Sequence, residues 1–209
     1  MLFLRNFKKC YDHIPVLEIP EMAIPEGIHW IKGINGSGKT TFFKCISGIL
    51  HSEGQIEIDG INLKKEPVPY RRLVNYSEAE PLYPAFLSGN DLIQFTAQAR
   101  KADKQQVDLL IDTLDIGAFI LHPVGSYSSG MLKKLSLVMG FTGRPRLIIL
   151  DEPLVTIDTI AVSAMIKLIK QYQIQHNTSF LISSHQNFDE SHLTINNVYQ
   201  VQDQTLEQI

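Results

Sequence analysis

A chain of 209 residues with 44% hydrophobic and 20% charged residues has the makeup of an ordinary globule, long enough for one well-packed domain with a small insertion and too short for two full-sized ones. Its formal net charge of −3 gives no general electrostatic pull toward nucleic acid or an anionic membrane surface, so no nucleic-acid partner is expected. No window reaches the roughly 18 to 20 consecutive apolar residues of a membrane span, the first apolar residues precede Arg5, Lys8 and Lys9 in the reverse of a secretory signal, and Cys10 and Cys45 lack metal-site spacing, which fits a reduced cytosolic setting.

From the start to Gly27 the pattern predicts short antiparallel strands, broken at Pro15, Pro20 and Pro25, with Leu2, Leu4, Val16, Leu17 and Ile19 buried. Tyr11 stands among polar neighbours and reads either as a partly buried strand aromatic or as a stacking platform for a base. Ile28–Ile31 is a short β-prone run. It leads into Gly33-Ile34-Asn35-Gly36-Ser37-Gly38-Lys39-Thr40, which fits G-x-x-x-x-G-K-[ST], a loop that wraps the phosphates of a nucleoside triphosphate. Gly36 and Gly38 allow backbone angles that turn successive N–H groups into one concavity and let phosphate oxygens approach. Lys39 supplies a point charge to the β and γ phosphates, and the Thr40 hydroxyl is placed to ligate Mg²⁺. Phe42, Phe43, Ile46, Ile49 and Leu50 recur at helical spacing, so the loop opens a helix whose positive end faces the anion.

Gln55–Gly60 alternates polar and apolar and ends in an Asp-Gly turn, a hairpin strand. Pro67 to Pro69 interrupts, Leu73–Tyr76 is a further strand, and Pro81–Pro84 is a loop. Helical signals follow at Ser88-Gly89-Asn90-Asp91, with Leu92, Ile93 and Phe95 apolar, and at Asp103, with Val107, Leu110, Ile111 and Leu114 on one face. Leu132, Leu135, Val138 and Met139 mark an amphipathic helix starting near Ser128, so a helical insertion spans about 86–142 of a single domain covering 1–209.

Leu147–Leu150 is a continuous apolar run, the mark of a strand buried on both faces, and it delivers Asp151-Glu152-Pro153. Asp151 is placed to hold Mg²⁺; its structural alternative is a turn cap. Glu152 is placed to orient a water for attack on the γ-phosphate; its alternative is a solvated loop acid. Ile160–Tyr172 is helical, and Ser179–Ser183 is a second buried strand that leads to His185, a candidate for sensing the γ-phosphate. Asn197–Ile209 reads as a hairpin over Asp203-Gln204. Strands and helices alternating around the phosphate loop imply an α/β fold of the P-loop NTPase class, with a mostly parallel central sheet, an N-terminal antiparallel β layer and an inserted helical subdomain.

The loop through Thr41, then Tyr127-Ser128-Ser129-Gly130-Met131, then Leu150-Asp151-Glu152-Pro153, Asp158 and His185 resembles the ATP-binding subunit of an ABC transporter, of the small exporter-like type, over nearly the whole chain. The resemblance implies that Tyr11 stacks on adenine, that Thr41 extends the phosphate loop, and that Glu152, His185 and Lys39 form the catalytic set. It implies that Ser128 and Gly130 contact the γ-phosphate held by the opposite subunit of an ATP-dependent homodimer or heterodimer, with Asp158 at the same interface. It further implies ATP and Mg²⁺ as ligands and a separate membrane permease that holds the subunit on the cytoplasmic face. The family's loop after the Leu73–Tyr76 strand carries a glutamine; here Glu78 takes that place as a metal-side residue, with Glu80 the other reading. An ATP-gated regulatory module with weak hydrolysis is the rival function.

Overall fold

The computed structural model describes residues 1–184 and 193–209. Strands β1 (Leu2–Tyr11) and β2 (Ile14–Ile24) form the N-terminal hairpin, and β3 (Ile28–Lys32) leads into α1 (Lys39–Ile46). Strands β4 (Glu53–Ile58) and β5 (Ile61–Asn62) follow, then α2 (Pro67–Leu73) and β6 (Val74–Ser77). The helices α3 (Gly89–Arg100), α4 (Lys104–Thr113) and α5 (Ser129–Phe141) come next, then β7 (Leu147–Leu150) and α6 (Thr159–His176). Strand β8 (Ser179–Ser183) precedes the hairpin β9 (Asn197–Gln202) and β10 (Thr205–Gln208).

Two sheets result. The antiparallel one has the order β2-β1-β4-β5, and the other has the order β10-β9-β3-β8-β7-β6, parallel except for the β9–β10 pair. Helix α1 lies between them: Phe42, Phe43, Cys45 and Ile46 pack with Leu2 and Leu4 of one sheet and Ile31, Ile149 and Leu181 of the other. The opposite face of the parallel sheet, through Ile148, Leu150, Phe180 and Ile182, packs against α3, α5 and α6. Successive residues of β7 thus face different cores, which is why Leu147–Leu150 is apolar without alternation.

The prolines depart from the expected pattern. Pro15 and Pro20 lie within β2 instead of breaking it, because β2 is the outermost strand of its sheet, where a missing N–H can face away from the ladder. Only Pro25 falls beyond its end. Pro67 does not interrupt; it opens α2, where a fixed φ suits the first helical turn and no N–H is needed. Helix α1 stops at Ile46, and Gly48 with φ 75° turns the chain, so Ile49 lies outside the helix and 56% exposed. Phe95 is an exposed residue of α3, and Val16 is only half-buried.

Gly54 sits in β4 with φ 79°, and a Cβ there would fall 2.1 Å from the Asn6 carbonyl oxygen. Gly54→Ala therefore combines a backbone clash with a left-handed angle, and is expected to lower stability by about 2 kcal/mol or more. A denaturant midpoint shift at unchanged m-value checks it.

Candidate functional site

The carboxyl ends of β3, β7 and β8 meet the start of α1 at one place, the expected ligand position in a parallel sheet. The loop from Gly33 to Gly38 joins β3 to α1, and Gly38, at φ 108°, is the N-cap of α1 and offers no capping side chain. That leaves the first-turn N–H groups, which have no intrahelical partner, for an anion. Lys39 is 7% exposed and folds back over its own loop, donating to the Gly33 carbonyl at 2.8 Å and the Ile34 carbonyl at 3.1 Å. Burial lowers its pKa, against the opposing fields of Glu152 and Asp151.

Asp151 is fully buried and holds three hydroxyls. Its Oδ1 accepts from Ser183 Oγ at 2.6 Å, and its Oδ2 accepts from Thr40 Oγ1 at 2.8 Å and from Tyr76 OH at 3.0 Å. Burial, followed by the charge and hydrogen bond of Asp151, pushes the Tyr76 phenol well above its usual range, so it remains a donor. Glu152 follows at φ 46°, left-handed for a residue with a Cβ, and its N–H donates to Ser183 Oγ at 3.0 Å. Lys133 of α5 is 1% exposed; its ammonium donates to the carbonyls of Glu78 at 2.6 Å, Ala79 at 3.5 Å and Asp151 at 2.6 Å. Burial pulls its pKa down to about 8, although Asp151, Glu152 and Glu78 oppose this.

Of these residues, Gly36, Gly38, Lys39, Thr40, Asp151 and Glu152 line a cavity of about 510 Å³. Asn35, Gly36, Gly38, Lys39, Thr40 and Thr41 line one side, Asp151 and Glu152 another, and Tyr11 with Val16 forms the rim. Tyr11, the last residue of β1, is 47% exposed, which is compatible with both readings of it, and Lys9 lies 4.6 Å from its ring centre. Gly33 and Ser37 sit behind the loop, where a Cβ on Gly33 would meet Ser37 Oγ at 2.5 Å and the Val201 carbonyl at 2.8 Å.

The loop after β6 differs from the first reading. Ala79 and Glu80 line the cavity, whereas Glu78 is not among the lining residues and pairs with Lys44 at 3.6 Å. Of Glu78 and Glu80, it is Glu80 that lines the cavity. Ser128 and Gly130 also lie off the cavity. Ser128 caps α5, its Oγ accepting from Met131 N–H at 3.2 Å, and a Cβ on Gly130 would fall 2.7 Å from the Thr156 carbonyl oxygen. Asp158 caps α6 and pairs with Lys134 at 2.8 Å. His185 lies outside the described residues.

Sequence reasoning missed Tyr76, Ser183 and Lys133. The first two belong to strands that were located, but nothing local marks which hydroxyls reach the strand end. Lys133 had a signal: with Ser136 and Gly140 it forms an i, i+3, i+7 row of polar or small residues, all buried. That row faces β6, where Ser136 and Ser77 hydroxyls lie 2.9 Å apart and Asn75 donates to the Gly140 carbonyl at 2.8 Å.

Fold and cavity together define a phosphate-loop protein built to hold a nucleoside triphosphate. The family model described as ABC transporter matches residues 20–155, and the chain belongs to that family. It is 31% identical over 188 residues to an ABC transporter ATP-binding protein, YtrB, of Bacillus subtilis, covering 88% of this chain and 63% of that relative's length. It is 28% identical over 187 residues to the lantibiotic transport ATP-binding protein SrtF of Streptococcus pyogenes, covering 88% of this chain and 80% of SrtF. The fold is shared with an ATP-binding subunit of an ABC transporter at a TM-score of 0.88 and 22% identity, over 99% of this chain and 88% of that one. It is also shared with a dimeric ATP-binding cassette in a post-hydrolysis state bound to ADP and Pi, at a TM-score of 0.81 and 18% identity, over 100% and 98% of the two chains.

Proposed function

We propose that this chain is an ATP-binding and ATP-hydrolysing subunit that powers an ABC transporter through a separate membrane permease. The observation that carries the reading is the convergence on one cavity of Lys39 and Thr40 from the phosphate loop with Asp151 and Glu152 from the end of β7. The cavity admits a triphosphate: loop N–H groups and Lys39 meet its charge, and Tyr11 stands at the rim for the base. The Thr40 hydroxyl and an Asp151 carboxylate oxygen, 2.8 Å apart, form a hard oxygen pair of the kind Mg²⁺ takes alongside phosphate oxygens and water. When bound, that ion would neutralise phosphate charge.

Glu152 is the proposed general base, taking the proton of the attacking water, with Lys39 stabilising charge on the phosphates. His185 is proposed to assist from its sequence position alone. Ser128 and Gly130, away from their own chain's cavity, are proposed to complete the site of a second subunit, identical or not. Among the described residues no helix is long and apolar enough to cross a membrane. Attachment to the cytoplasmic face is therefore assigned to the permease. Glu78, which stands where the family carries a glutamine, pairs with Lys44.

Purified chain, with and without a co-expressed permease, is expected to hydrolyse ATP in steady state, and Lys39→Met is expected to reduce this to background. Turnover indistinguishable between the two would overturn the reading.

A further inference from the structure

We propose that Lys133 is a positioning residue for ATP hydrolysis, its buried ammonium clamping the Asp151–Glu152 peptide and the 78–79 loop onto the helix that begins at Ser129. The inference rests on the reading of Glu152 as the base. A peptide unit is planar, so fixing its two polar ends fixes the direction in which the next residue leaves. Here the carbonyl end accepts from Lys133 at 2.6 Å and the amide end donates to Ser183 Oγ at 3.0 Å. Glu152 leaves that plane at φ 46°, an angle disfavoured for a side chain with a Cβ and maintained only where the surroundings impose it.

The same ammonium donates to the carbonyls of Glu78 and Ala79, and Ala79 and Glu80 line the cavity. Lys133 therefore sets two walls of the site without lining it. Its three donors meet three carbonyls on the buried row of α5 that also carries Ser136 and Gly140. An apolar side chain of similar length would fill that space without the cost of dehydrating an ammonium, so the charge there calls for a role beyond filling. Lys134, the next residue, pairs with Asp158 at 2.8 Å, so adjacent lysines strap both ends of the 151–158 loop to α5. The position of the Glu152 carboxylate is thereby tied to the helix that carries Ser128 at its start.

The test compares steady-state ATP hydrolysis and binding of a fluorescent ATP analogue for wild type, Lys133→Met, Lys133→Arg and Lys39→Met. Lys133→Met is expected to lower kcat about 10- to 100-fold while KM and the analogue Kd change by less than about threefold. Lys133→Arg, which keeps charge and donors, is expected to recover most of the rate; Lys133→Gln is read the same way if the Met variant does not fold. An unchanged kcat overturns the proposal, as does parallel loss of kcat, binding and melting temperature, which marks a merely structural residue. A wild type no faster than Lys39→Met overturns the functional reading, and the proposal with it.

Discussion

Glu152→Gln is expected to lose steady-state ATP hydrolysis by about 10²- to 10⁴-fold while retaining ATP binding. The substitution keeps the length and shape of the side chain and removes its capacity to take a proton together with the negative charge that acts on Lys39 and Lys133. The backbone N–H of this residue donates to Ser183 and the preceding carbonyl accepts from Lys133, and both contacts survive the change. Steady-state turnover with an ATP titration checks it, and a variant as active as wild type would remove Glu152 from the base role.

Asp151→Ala should have the largest effect on the fold. It strips the acceptor from three hydroxyls, those of Thr40, Tyr76 and Ser183, and removes a negative charge that supports the protonated forms of Lys39 and Lys133. Removing one partner of a buried charged network costs on the order of 3–5 kcal/mol, because the groups left behind are dehydrated and unpaired. For a domain of this size that is a fall in melting temperature of roughly 10 °C. Activity should vanish as well, since Thr40 and Asp151 are the oxygen pair proposed for Mg²⁺. Calorimetric melting of the two proteins without nucleotide measures the first effect, and a midpoint within about 2 °C of wild type would contradict the network's importance.

The contrast between these two acids reflects what could be read in the chain. The phosphate loop was legible because its chemistry is contiguous: Gly36, Gly38, Lys39 and Thr40 act through neighbouring backbone. Asp151 was legible because four apolar residues point to the strand end that delivers it. Tyr76 and Ser183 were not, since each meets Asp151 across strands and no local pattern specifies that meeting; for Lys133 the row with Ser136 and Gly140 marks a buried face but not its partner. The loop after β6 was ambiguous for a different reason. Glu78 and Glu80 flank Ala79 in a segment with no periodicity to fix which residue turns inward, and packing turned Ala79 and Glu80 toward the cavity. The prolines of β2 and α2 misled because their effect depends on being at a sheet edge or in a first helical turn. Both are properties of the assembled fold.

Within one chain the site lacks the contacts that the start of α5 is proposed to provide from a second subunit. Ser128 and Gly130 lie off the cavity, Gly130 close against the Thr156 carbonyl, and Lys134 of the same helix pairs with Asp158. Where the second subunit is a copy of this chain, two copies should close around two nucleotides and open once hydrolysis is complete.

The most direct measurement is light scattering of Glu152→Gln during gel filtration, in ATP with Mg²⁺ and then in ADP. The account predicts twice the 23.6 kDa chain mass in ATP and the single-chain mass in ADP; one mass in both nucleotides, together with unchanged turnover, would contradict it.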